Sequence, residues 1–212
     1  MALLTAPDIA AMAPLARALL INSLPGYKSA MLVGTCDAKG QTNLAIVSSH
    51  FHLGSSPPLL AMILRPSKGE SERHTLQNLL ETRCWTLNGF SLDEAAKAHQ
   101  TSAPYPKNQS EIDACDFEAE WLAEFGAPFI KSSPLQIGCL LREHHPLEIN
   151  GTNMIIGEVQ HLHYPETAQR SDGGLSLSDM GLVAVAGLDT YTQPDAGVRF
   201  APADTTSSPR KL

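Results

Sequence analysis

Residues 40–64 read GQTNLAIVSSHFHLGSSPPLLAMIL and contain no Asp, Glu, Lys or Arg. The stretch is long enough for a membrane span. Its composition excludes one: Gln41, Asn43, two histidines, four serines and a Pro-Pro pair do not suit lipid. It reads instead as β-structure. Thr42 to Phe51 predicts one strand, and Leu59 to Leu64 predicts another, entered through Pro57-Pro58 and closed by Arg65-Pro66.

Upstream, Lys28 to Cys36 is an apolar run. Asp37-Ala-Lys-Gly40 then makes a tight-turn tetrad with glycine last, so a hairpin leads into Thr42. Asp8 to Asn22 predicts an amphipathic helix with Asp8 as its N-cap. Downstream the period changes. Leu76, Leu79 and Leu80 fall at helical spacing behind Ser71 as a cap, and Cys84 to Leu87 returns to strand. Ser91 and Glu94 form a capping box ahead of a helix over 91–100. Residues 101–134 are proline-rich and irregular, with a short helix expected near Phe117–Phe125. Leu135 to Glu143 and Asn153 to His163 predict strands flanking the Asn150-Gly151 turn, and Leu182 to Gly187 predicts one more. Strands outnumber helices and no βαβα rhythm is present, so the fold class is mainly β (α+β), a small barrel with attached helices.

The chain has 212 residues, enough for one domain with a real core. Its net charge of −7 argues against a nucleic-acid partner, which needs a basic face. The N-terminus lacks the basic region of a signal peptide, and neither it nor any other segment predicts membrane insertion. Cys36, Cys84, Cys115 and Cys139 are far apart in sequence and form no C-x-x-C pair, which suits free thiols in a reducing cytoplasm.

No G-x-S-x-G, Walker lysine loop, G-x-G-x-x-G or H-E-x-x-H is present, so ordinary hydrolase and nucleotidase templates do not apply. Four features carry chemistry. The strand at Asn43–Phe51 mixes Asn43, Ser48, Ser49 and His50 with Leu44, Ile46 and Val47. That mixture suits either the edge of a planar heteroaromatic ligand or a barrel strand with one wet face. The crossing from Arg65 to Thr75 holds Ser67, Lys68, Arg73 and His74 near a helix start. It suits either an anion site or, with Glu70 and Glu72 present, a capped surface helix. The pairs His50/His52, His144/His145 and His161/His163 could offer metal nitrogens or serve as half-buried polar residues. The segment Ala98 to Pro106, AHQTSAPYP, can fold over a ligand or simply stop a helix.

In their order, GTCDAKGQTNLAIVSSHFHLGSSPPLLAMILRP, RHTLQNLLETRCWTLN and AHQTSAPYP resemble the flavin reductase-like family with an FMN-binding split barrel. The carrying positions are Gly40, Asn43, Ser48-Ser49, Pro57-Pro58, Arg73-His-Thr75 with Asn78, and Asn88. The later GLDTY at 187–191 resembles the family's closing strand, and the likeness spans roughly residues 25–192. The resemblance implies a six-stranded antiparallel split β-barrel with flanking helices, and a homodimer with FMN near its interface. With the helical spacing before this barrel and the aperiodic tail after it, the chain divides into an N-terminal helix (1–24), the FMN-binding domain (25–195) and a disordered tail (196–212). By position, Asn43, Ile46, Val47, Ser48 and Ser49 would line the flavin. Arg65, Ser67, Arg73, His74 and Thr75 would sit near its phosphate. His99, Thr101 and Ser102 are further cofactor-binding candidates in a lid-like segment. Where many relatives carry a basic residue followed by Asp before the Thr, this chain has Arg73-His74.

The implied activity is reduction of FMN by NADH or NADPH, with electrons passing to a further acceptor. Flavin carries that chemistry, so no catalytic side chain is assigned and no metal is expected. The rival readings are a non-catalytic FMN carrier and a metal-dependent barrel built on the H-x-H pairs.

Overall fold

The computed structural model describes residues 1–67, 73–122 and 125–212. The helices are α1 (Ala6–Ala11), α2 (Pro14–Ser23), α3 (His74–Thr82), α4 (Ala95–Gln100) and α5 (Glu111–Ala114). The first strands are β1 (Tyr27–Ser29), β2 (Met31–Cys36), β3 (Thr42–Val47), β4 (His50–Ser55), β5 (Pro58–Leu64) and β6 (Cys84–Gly89). They are followed by β7 (Ala119–Glu120), β8 (Phe129–Ile130), β9 (Gln136–Leu147), β10 (Thr152–His163), β11 (Ala184–Ala186) and β12 (Thr190–Thr192).

Among the described residues, seven strands form one antiparallel sheet in the order β3-β2-β6-β9-β10-β5-β4. The expected six-strand barrel is thus a seven-strand sheet, with a small β1-β11-β12 sheet and a β7-β8 pair beside it. The two edge strands, β3 and β4, are consecutive in sequence and separated only by Ser48-Ser49. In a flat sheet, six strand spacings would hold them about 29 Å apart. The three steps from Val47 to His50 span at most about 11 Å. The sheet must therefore curl until its edges approach, which makes an open barrel with a seam at Ser48-Ser49. At that corner Ile63 N–H donates to Ser49 O at 2.8 Å.

Apolar side chains cover both faces of the curled sheet. Met31 and Val33 join Trp85, Leu87, Met62 and Ile155 on one side. Leu32 joins Leu44, Phe90, Ile112 and Val185 on the other. This is why β2 is buried at every position and reads as a continuous apolar run. Trp85 lies across Gly157, where a Cβ would collide with the indole ring, and the β9–β10 register shifts there. Glycine is required by that close approach.

The local turn signals fold as read. Gly40 N–H donates to Asp37 O at 3.0 Å with Gly40 at φ +84°. Gly151 takes φ +71° between β9 and β10, and Ser91 N–H reaches Glu94 Oε2 at 3.4 Å. Other expectations need correction. The strand expected over Thr42–Phe51 is two strands broken at the seam. The helix expected over Asp8–Asn22 is two helices. Pro14 disfavours helical backbone at Ala13, and Thr5 takes the cap position with Asp8 three residues on. Among the described residues of 117–125, where a short helix was expected, none is helical. There Ala119–Glu120 pairs instead with Phe129–Ile130, and Phe125 is buried. Beyond β12, Phe200 and Lys211 form an isolated antiparallel bridge.

His50 opens β4, and its Nδ1 is buried without a partner among the described residues. Burial pulls its pKa from 6.5 down to about 4. The unfolded chain therefore takes a proton near 6.5 while the folded chain does not. This contribution to stability is complete above that pH and is lost as pH falls toward about 4. Urea unfolding should show a loss of up to about 3 kcal/mol from this group across that window. His50→Gln should flatten the slope; an unchanged slope would contradict the assignment.

Candidate functional site

The seam opens onto a cleft of about 590 Å³, within the usual range for small-molecule sites. One wall is β3 and the corner, with Asn43, Ile46, Val47, Ser48 and Ser49. Ile63, Leu64 and Arg65 border it at the end of β5. Arg73, His74 and Thr75 bring the start of α3, and His99, Thr101 and Ser102 bring the end of α4. The cofactor-binding residues implied by the resemblance thus gather at one cleft, all except Ser67. Its hydroxyl accepts from Arg73 N–H at 3.1 Å and so shapes the approach to α3. Lys68, Glu70, Ser71 and Glu72 lie outside the described residues. The N-cap position of α3 is Arg73 rather than Ser71.

The α3 end has features that suit an anion. The helix has nine residues, no acid in its first turn and no side-chain cap among the described residues. Its N-terminal end, where the first N–H groups lack intrahelical partners and the dipole is positive, lies beside Arg65, Arg73 and His74. Asn43 ties this helix to the sheet. Its Nδ2 donates to Thr75 Oγ1 at 3.0 Å, and Asn78 Nδ2 donates to Thr35 Oγ1 at 3.3 Å beneath it. The Asn43 amide nitrogen thus braces the helix start.

The α4 side is also committed in part. The buried Thr101 hydroxyl donates to Ala98 O at 2.8 Å and accepts from Ile46 N–H at 2.9 Å. His99 Nδ1 lies 2.9 Å from the Tyr191 hydroxyl, with the two rings edge to face. Gln100 Nε2 donates to the Tyr105 hydroxyl at 3.1 Å. These contacts order the 99–105 segment against the mouth of the cleft. Ser48, Ser49 and Ser102 side chains make no hydrogen bond among the described residues and are free for a ligand.

Several cleft residues are not among those implied by the sequence, Ile63, Leu64, Glu111 and Tyr191 among them. Glu111 follows the capping residue Ser110 and looks like an ordinary acid in a helix's first turn, so only the tertiary fold brings it to β3. Tyr191 ends GLDTY, where an aromatic beside a turn was the available signal. Conversely, His50 does not border the cleft. The other histidine pairs are used elsewhere. His161 packs edge-on against Phe125, His163 lies beside Phe129, and His144 contacts Asn153 Oδ1 at 2.7 Å. Among the described residues, no three His, Cys, Asp or Glu side chains come together.

A flavin mononucleotide needs an anion pocket, a flat apolar slot and donors at the ring edge. The uncapped α3 start, the Ile46–Val47–Ile63–Leu64 surface and the free seam hydroxyls match those needs. Comparison with known proteins agrees with this chemistry. The model of the flavin reductase like domain matches residues 25–183, and the chain belongs to that family. A candidate flavin reductase with a split barrel domain from Shewanella frigidimarina is 42% identical, covering 96% of this chain and 100% of its own, with a TM-score of 0.91. Two more distant structures show the same fold. Nitrilotriacetate monooxygenase component B from Bacillus cereus is 18% identical over 93% of this chain and 97% of its own, with a TM-score of 0.81. An FMN-binding protein from Thermus thermophilus is 19% identical over 83% and 90%, with a TM-score of 0.66. No curated protein matches the chain.

If α3 takes a phosphate, Arg73→Ala should weaken FMN by about 1–3 kcal/mol in a fluorescence titration, the scale of a lost charge-assisted bond. Riboflavin, which lacks the phosphate, should bind both forms alike. Equal loss for both ligands would remove Arg73 from the phosphate site.

Proposed function

We propose that this chain holds FMN in the seam cleft and serves as an NADH- or NADPH-dependent flavin reductase that passes electrons to a further acceptor. The observation that carries the reading is the gathering of the resemblance-derived residues, all but Ser67, around one cleft with an anion-ready helix start. The name of the Thermus thermophilus relative supports FMN as the flavin.

When bound, the flavin supplies hydride acceptance and electron release, chemistry that side chains lack. The chain's part is to bind, orient and tune. Arg65, Arg73, His74 and the first amides of α3 would hold the phosphate. Ile46 and Val47 would give the ring an apolar surface. The Ser48 N–H has no partner among the described residues and would face charge that develops at the ring edge. The His99–Tyr191 pair borders the cleft on the side of α4, where a nicotinamide would approach.

We further infer a homodimer in the cytoplasm. β4 leaves Phe51 and Leu53 more than two-fifths exposed, and α1 and α2 bury no residue within the chain, which supports a second copy. Four free, buried thiols support a reducing compartment.

Anaerobic spectroscopy tests the activity. With FMN bound, NADH or NADPH should bleach the oxidised flavin absorbance near 450 nm within seconds, a rough estimate from ordinary enzyme turnover. A flavin that stays oxidised with both nicotinamides would favour a carrier instead.

A further inference from the structure

β3 is the edge of the sheet along the cleft, and an antiparallel edge strand turns every second N–H away from its partner strand. On β3 these outward groups are met by side chains. Leu44 N–H donates to Glu111 Oε2 at 2.9 Å, and Ile46 N–H donates to Thr101 Oγ1 at 2.9 Å. One step earlier, the Thr42 and Ser110 hydroxyls meet at 2.7 Å. Contacts at residues 42, 44 and 46 follow the two-residue repeat of a strand, although no strand is there. The next outward position is Ser48, at the seam, and its N–H has no partner among the described residues.

Glu111 is an unusual choice for such a contact. It is only 6% exposed, and burying a carboxylate is costly. Burial pushes its carboxyl up, while the Leu44 N–H pulls it back. A hydroxyl performs the same task at Thr101. The helix that carries Glu111 is four residues long, too short to hold its own place. It is fixed by Ser110, whose hydroxyl accepts from Ile112 N–H at 3.2 Å, and by the contacts to β3. Glu111 also borders the cleft beside Asn43 and Thr101.

We propose that Glu111 is a positioning residue that, with Thr101, substitutes for the missing neighbour of β3 and so sets the Ile46–Ser49 wall against which the flavin lies. The ligand's identity rests on the proposed function; the role on β3 does not.

Two readouts test this on the full chain. Amide hydrogen exchange without flavin should show Leu44 exchanging at least about tenfold faster in Glu111→Ala, the scale of one lost hydrogen bond. Ile155, in the core, should be unchanged. FMN affinity should fall about tenfold in the same variant. Glu111→Gln keeps an acceptor oxygen and should restore both values to near wild type. Should Glu111→Ala fail to fold, Thr101→Val provides the same test at Ile46. Leu44 exchange that stays at the wild-type rate overturns the proposal. So does faster exchange with undiminished FMN affinity, and so does a Glu111→Gln variant that behaves like Glu111→Ala. A wild-type chain that binds no FMN overturns the flavin reading, and the exchange rates then decide the β3 role alone.

Discussion

Two residues join the opposite edges of a seven-stranded sheet, and most of this architecture follows from that covalent fact. Ser48 and Ser49 link β3 to β4, so the sheet must curl and its edges must stand close together. The closure is incomplete because the edges meet at a corner rather than pairing along their length. The gap beside that corner is the cleft. A ligand placed there faces the backbone of an edge strand, a surface that is rich in polar groups.

An open edge is a liability, and this chain handles its two edges differently. Along β3, side chains from the α4–α5 region take the outward N–H groups. Along β4, no such cover is present among the described residues. Phe51 and Leu53 stand exposed there, the surface on which the proposed homodimer rests. The lack of charge over residues 40–64 therefore has three sources. β3 and β5 are packed in the barrel wall, Ser48 and Ser49 line the cleft, and β4 presents an apolar outer surface. The cations are displaced to Arg65 and Arg73, at the end where α3 begins.

What could be read from the sequence was local. The Asp37–Gly40 turn, the Asn150-Gly151 hairpin and the Ser91/Glu94 cap each depend on a few adjacent residues, and each folds as read. The cleft residues were found mainly through the family resemblance, because no short motif in the chain specifies a flavin. The corner at Ser48-Ser49 was missed because it contains no glycine or proline. The bend is imposed by which strands pair, and pairing is a long-range property. Glu111 was missed for a similar reason: its partner, Leu44, lies 67 residues away. The pairing of Ala119–Glu120 with Phe129–Ile130 overrode a helical reading of the same segment.

The central claim is that the seam cleft is a flavin site. Nuclear magnetic resonance of the amide-labelled chain during titration with FMN tests it most directly. The account predicts saturation at one FMN per chain, with the largest shifts at Ile46–Ser49 and at the first residues of α3, and little change at β7–β8. Absence of saturable binding, or shifts centred away from the seam, would contradict it.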